Sequence, residues 1–343
     1  MITAMIKEMQ LVSADDKNIE SVYFGGGTPS QLPAKDLNLL LNAFHENFKV
    51  VNDAEITIEV NPDDLSLDYA NMLKSSGINR LSMGIQSFDD KILQWMNRAH
   101  NANQAVMALK NAESAGFENI TADLIYGIPN TDSSYWKSQI EKLTSFGIPH
   151  ISAYCLTFEP NTVFGKKKLQ GKIIDIPDES ALEQFQILQS ELNRKGYEQY
   201  EISNFSKPGF LSKHNSSYWF GKSYFGIGPS AHSFNQIERR WNISNNSQYI
   251  KLLEQGDLWF ESETLTTENR FNEYIMTRLR TKWGIVEAEL RQISDSFFAE
   301  IQPILRSNLE KGNLKKTEGG YVLTDKAKFV ADAVAVDLFI VPV

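Results

Sequence analysis

Between residues 21 and about 160 the chain alternates short apolar runs with longer amphipathic stretches, and this alternation restricts its fold more than any other feature. The runs at 21–24, 55–60, 79–86, 119–125 and 150–157 are bounded by Gly, Pro, Asn or Asp and read as strands. Helical periodicity fills 34–48, 67–75, 102–115 and 134–145. Gly77, Gly116 and Gly147 fall just past three of these, where a helix end needs positive φ. Repeated strand–helix units imply a parallel sheet with right-handed crossovers, as a doubly wound sheet or a barrel.

Side-chain alternation within the runs favours the barrel. In AEITIEVNP, Ile56, Ile58 and Val60 share one face while Thr57 and Glu59 share the other. Leu81, Met83 and Ile85 oppose Ser82, Gly84 and Gln86, and Ala122 and Leu124 oppose Thr121 and Asp123. A parallel strand in an ordinary sheet is apolar on both faces. A face that repeats small or polar groups is expected to line a lumen holding a polar ligand, so a partial barrel is the architecture expected.

Beyond 160 the character changes. A helix expected over 179–195 leads into YEQYEISNFSKPGFLSKHNSSYWFGKSYFGIGPSAHSF, which reads as too irregular for helix and too long for a plain linker. Helical patterns over 268–280, 286–297 and 301–310, the hairpin GNLKKTEGGYVLT and a last helix over 325–339 resemble a winged helix. The expected division is a barrel over 1–175, an aromatic-rich accessory region over 176–262 and a winged-helix-like domain over 263–343. The net charge of −9 argues against nucleic acid as a partner, so the winged helix reads as a packing module and Lys166 to Lys168 as a solvated loop. No apolar run approaches the roughly 18 residues that span a bilayer. The N-terminal stretch lacks the basic-then-apolar order of a signal peptide. A cytoplasmic protein, compatible with peripheral membrane contact, is expected.

The stretch YFGGGTPS at 23–30 lacks the Lys-Ser/Thr ending of a P-loop and the G-x-G-x-x-G spacing of a dinucleotide fold. Three glycines with Thr-Pro suggest a backbone edge left bare for a ligand, although a turn that needs positive φ also fits. Glu59 lies on the polar face of its strand, where it serves a site or a salt bridge to a neighbouring strand. Gln86 and Asp123 occupy equivalent places. Arg98 could clamp a carboxylate with its planar fork; taken alone it reads as surface. His214, in HNSSYW with Asn215, Tyr218 and Trp219, has the aromatic neighbours that a flat apolar cofactor with an axial nitrogen requires. His232 is a weaker candidate, and His45, His100 and His150 lack evident partners.

These stretches together resemble the radical S-adenosylmethionine superfamily, and within it the group of oxygen-independent coproporphyrinogen III oxidases and HemW-type haem chaperones. YFGGGTPS, IEVNP, RLSMGIQSF, Asn97-Arg98, DLIYGIP and SAYCLTFEP occur in that family's order and spacing, over essentially the whole chain. The resemblance implies a partial (β/α)6 barrel with an accessory C-terminal domain. It also implies that Gly26, Gly27 and Thr28 meet the amino-acid end of S-adenosylmethionine, while Glu59, Gln86, Arg98 and Asp123 hold its ribose and methionine groups. HNSSYW matches the H-N-x-x-Y-W signature of the haem chaperones. This implies haem binding with His214 as axial ligand and delivery to haem-accepting proteins such as respiratory enzymes. The alternatives are a coproporphyrinogen oxidase and a cluster-free pseudoenzyme.

One departure bears on chemistry. The family holds a [4Fe-4S] cluster on a C-x-x-x-C-x-x-C loop after its first strand, whereas the single cysteine here is Cys155. The opening stretch ITAMIKEMQLV, with its stripe of Ile2, Met5, Ile6 and Met9, looks like the helix that follows that loop. The expectation is therefore an N-terminally truncated reading frame, one barrel strand short, with 21–24 at a sheet edge. Radical chemistry is not expected of the chain as it stands.

Overall fold

A computed structural model describes residues 1–13 and 18–341. The chain forms two compact units, Tyr23–Leu32 with Ile56–Leu211, and Met1–Val22 with Pro33–Glu55 and Ser212–Val343. The principal sheet has seven strands: β1 (Asn18–Phe24), β2 (Lys49–Val60), β3 (Arg80–Gln86), β4 (Asn119–Tyr126), β5 (His150–Cys155), β6 (Glu198–Gln199) and β7 (Asn204–Ser206), in the order β1-β2-β3-β4-β5-β7-β6. From β2 to β5 the pairing is parallel, giving the curled half-barrel wall expected from the sequence. β7 then pairs antiparallel with β5, and β6 with β7. Among the described residues β1 is the terminal strand.

The crossovers are the helices Leu67–Ser75, Ala102–Ser114 and Ser133–Thr144. Ser66, Asn101 and Asp132 cap their N-termini by accepting backbone N–H bonds, and Gly77, Gly116 and Gly147 follow their ends with φ of 94°, 78° and 69°. The apolar faces of the strands pack outwards under these helices: Ile58, Leu81, Met83, Ile85 and Leu124 are buried with Leu73, Ala112 and Trp136. The opposite faces, turned inwards, carry the polar residues. Register aligns them in rows, Thr57 with Arg80 and Asn119, then Glu59 with Ser82, Thr121 and His150.

The other unit contains two further sheets. β8 (His232–Phe234), β9 (Glu238–Asn242) and β10 (Phe260–Thr264) form an antiparallel meander. β11 (Ile285–Val286), β12 (Leu314–Lys316) and β13 (Gly320–Leu323) pair in the order β11-β13-β12, and helices Thr267–Leu279, Glu287–Ile293 and Asp295–Glu310 belong to the same unit. In the helix Ile2–Val12, Glu8 is buried and its carboxylate accepts Gly228 N at 2.8 Å, Asn242 Nδ2 at 2.5 Å and the Tyr249 hydroxyl. A buried charge with three donors is structural here.

Four expectations differ from the structure. The aromatic stretch contains a helix, Lys213–Trp219, started by the Ser212 hydroxyl accepting Asn215 N. The helix expected over 286–297 is two, because Ser294 ends one and caps the next through Phe297 N. The last helix begins as a 3₁₀ turn, Asp325–Val330, before Ala331–Asp337. Lys166 to Lys168 lie on a short helix, Val163–Leu169, rather than a loop, and are exposed as expected.

Candidate functional site

The lumen site is built from the C-terminal ends of β1 to β4. At the end of β1, Gly25, Gly26, Gly27 and Thr28 are exposed. Gly26 and Gly27 have φ of 76° and 154°, and a Cβ at either would meet nothing within 4 Å, so both combine a left-handed backbone with open space. Gly25 differs. Its Cβ would lie 2.6 Å from Tyr23 Cε1 and 2.9 Å from Glu59 Oε1, so this position needs glycine for close approach.

Glu59 projects inwards from β2, as its alternation requires, and accepts a 2.8 Å hydrogen bond from the Tyr23 hydroxyl at Oε1. Among the described residues Glu59 makes no salt bridge; its carboxylate meets a phenol instead. Burial and the adjacent Glu59 charge hold the Tyr23 phenol far above its usual pKa, keeping it a donor. Asp123 faces inwards from β4 opposite Ser152, which hydrogen-bonds it. Burial pushes its carboxyl up to about 7; the nearby Glu59 charge adds to the push, and Ser152, Arg80 and Arg98 oppose it.

Gln86 ends β3 at a register shift and holds φ 63°, uncommon for a residue with a side chain. Its amide and the Arg98 guanidinium crowd the α-carbon of Gly84, where a Cβ would lie 2.8 Å from Gln86 Nε2 and 3.2 Å from Arg98 NH2. Arg98 is thus turned inwards, against its reading as surface. Asn97, at φ 56°, redirects the chain, and Arg98 NH2 donates to Asn61 Oδ1 at 3.3 Å and Gly84 O at 3.4 Å. Two buried lumen atoms, Thr57 Oγ1 and Arg98 Nε, have no hydrogen-bond partner among the described residues. All seven residues expected at the lumen fall within one unit, and Glu59, Gln86, Arg98 and Asp123 are brought together there.

Sequence reasoning did not single out Tyr23, Asn61 or Arg80. Arg80 is fully buried and donates to Asn119 Oδ1 and, at 2.5 Å, to Thr121 Oγ1. An arginine opening a strand gives no local sign of pointing inwards; only the pairing of β3 with β4 shows it. His150 and His100 also have partners that the sequence did not reveal: His150 Nε2 bonds the Tyr200 hydroxyl at 2.8 Å, and His100 Nε2 bonds Ile85 O at 3.1 Å.

The second candidate lies in the other unit, on the helix Lys213–Trp219. Glu55, buried, accepts Ser212 Oγ at 3.1 Å, Lys213 N at 2.9 Å and His214 N at 3.0 Å, so a carboxylate holds the helix start. His214 Nδ1 lies 3.1 Å from Ser21 Oγ, and Tyr218 meets the ring edge-on at 5.1 Å. Burial lowers the His214 pKa, and the Glu55 charge opposes that only in part. Tyr218 and Phe220 are exposed. Arg280 stacks over Trp219 at 5.5 Å, Asn215 N is engaged by Ser212, and Trp219 Nε1 is buried without a hydrogen-bond partner among the described residues. His232, the weaker candidate, is exposed and stacks on Trp241 at 5.9 Å.

Comparison with known proteins places these sites in a family context. The family model described as "Radical SAM superfamily" matches residues 2–139. The protein named "Heme chaperone HemW" of Bacillus subtilis (strain 168) is 32% identical over 338 residues, 97% of this chain and 89% of that protein. The protein of the same name from Lactococcus lactis subsp. lactis (strain IL1403) is 35% identical over 286 residues, 83% of this chain and 74% of that protein. Among solved structures, coproporphyrinogen III oxidase (HemN) from Escherichia coli, a radical SAM enzyme, superposes with a TM-score of 0.82 over 98% of this chain and 82% of its own, at 24% identity. That likeness establishes the half-barrel fold. Among the described residues no helix is long and apolar enough to cross a membrane.

Proposed function

The chain belongs to the HemW-type haem chaperones of the radical S-adenosylmethionine superfamily, and on that premise we propose that it binds haem at the Lys213–Trp219 helix and passes it to haem-requiring proteins such as respiratory enzymes. The observation that carries this reading is the placement of His214. It sits half-buried on a helix held by Glu55, with Ser21 and Tyr218 orienting its ring. Burial favours the neutral imidazole, the form that ligates iron. Exposed Tyr218 and Phe220 supply aromatic surface for a flat porphyrin. Haem here is cargo, and the surface position of the helix suits release as well as capture.

The lumen suits S-adenosylmethionine. The lumen offers the unpartnered Arg98 Nε, the Glu59 and Asp123 carboxyls and the open backbone of Gly26 and Gly27, a set that matches a ligand carrying an ammonium, a carboxylate and ribose hydroxyls. Gly26, Gly27 and Thr28 would face its amino-acid end, and Glu59, Gln86, Arg98 and Asp123 its ribose and methionine groups. When bound beside a reduced cluster, this cofactor supplies radical chemistry in the superfamily. The residues present do not fit the [4Fe-4S] cluster. Cys155 is the one cysteine of the sequence, and among the described residues no group of three or more His, Cys, Asp or Glu converges on a point. Haem handling is supported instead by the Lys213–Trp219 helix and the placement of His214 on it.

The test is haem transfer. The chain loaded with haem and mixed with an apo-haem protein is expected to lose its Soret band as the acceptor's appears. Failure to bind haem, or haem that stays on the chain while coproporphyrinogen is consumed, would overturn the proposal in favour of the oxidase.

A further inference from the structure

The first glycine of YFGGGTPS opens on a contact that the other two do not share. Tyr23, two residues before it on β1, places its ring against the Gly25 α-carbon and its hydroxyl on Glu59 Oε1 at 2.8 Å. Ser82, the register neighbour of Glu59 on β3, hydrogen-bonds the same phenol. One oxygen of Glu59 is therefore occupied by the protein, while Oε2 accepts no hydrogen bond among the described residues. The geometry points to Tyr23 as a positioning residue that fixes the Glu59 carboxylate, so that Oε2 alone is presented to the cofactor's N–H or O–H donors.

The physical case has three parts. A glutamate at the mouth of a lumen has three rotatable bonds, and ordering it on ligand binding costs entropy unless something orders it beforehand. The Tyr23 hydroxyl does so through a charge-assisted hydrogen bond, the stronger kind. Asp123 also lies close enough for the Glu59 charge to add to the effect of burial on its carboxyl, so fixing Glu59 sets the distance between the two acids as well. Finally, a Cβ at position 25 would lie 2.6 Å from the Tyr23 ring and 2.9 Å from Glu59 Oε1, so a side chain there displaces the ring, the carboxylate or both. Gly25 thus serves Tyr23 and Glu59, whereas Gly26 and Gly27 leave open backbone for the ligand.

This inference rests on the reading of the lumen as an S-adenosylmethionine site, and equilibrium dialysis with radiolabelled S-adenosylmethionine separates the two. Tyr23→Phe keeps the ring and deletes only the hydroxyl. Affinity is expected to fall about tenfold in Tyr23→Phe, with the thermal midpoint nearly unchanged. In a Glu59→Ala background, adding Tyr23→Phe is expected to change affinity no further, since there is no carboxylate left to position. Wild-type affinity in Tyr23→Phe, or an equal loss with and without Glu59, would overturn the positioning role while leaving the lumen reading intact. No S-adenosylmethionine binding by the wild-type chain would overturn both.

Discussion

The buried carboxylate of Glu55 accepts the backbone N–H of His214 at 3.0 Å. A strand residue thereby fixes the start of the helix that carries the haem motif, along with Ser212 and Lys213. Glu55→Ala leaves three donors unsatisfied and removes an anion from a helix N-terminus, and is expected to cost about 2–3 kcal/mol. Glu55→Gln keeps one acceptor oxygen and is expected to recover about half of that. Urea unfolding of the two variants checks the order; equal losses would show that charge, and not acceptance, holds the helix.

Asp123 makes stability depend on pH. With its folded pKa near 7, above the ordinary carboxylate value, the native state keeps a proton that the unfolded chain releases. This contribution to stability is therefore present below about pH 4, falls as pH rises to about 7, and is absent above it. Relative to wild type, Asp123→Asn is expected to gain about 2 kcal/mol between pH 5 and pH 8, after allowance for partial exposure. Parallel urea midpoints for the two proteins over that range would contradict it.

The glycines of the first loop are expected to fail in different ways. Gly26→Ala meets no atom and pays only for φ 76°, about 1 kcal/mol. Gly25→Ala forces Tyr23 and Glu59 apart and is expected to change the near-ultraviolet circular dichroism of tyrosine as well as stability. Identical spectra for the two variants would remove the distinction between them.

The lumen was legible because its evidence is local: a period-two alternation tells which side of a strand is polar without knowing its neighbours. Glu59, Gln86 and Asp123 were readable on that basis. Arg98 was not, since its inward turn depends on the left-handed backbone at Asn97 and on acceptors at Asn61 and Gly84. Arg80 and the His150–Tyr200 pair depend on strand register and on residues about 40 to 50 positions away in sequence, for which no local pattern exists. The Lys213–Trp219 helix escaped notice because its rings and serines lack apolar periodicity; Glu55, from another strand, supplies what propensity does not. Ser294 was the opposite case: a recognisable cap residue that an apparently continuous helical pattern concealed.

The most direct measurement is a haem titration of the wild-type chain and His214→Ala at pH 6.0 and 8.0, followed at the Soret band. Burial lowers the His214 pKa and favours the neutral, ligating imidazole, so the wild-type band is expected to saturate with one haem per chain at pH 8.0 and to weaken less at pH 6.0 than binding to a free imidazole would. His214→Ala is expected to shift the band and weaken binding at least tenfold. A variant with the wild-type band and affinity would show that the iron is held elsewhere, with His232 the next residue to replace.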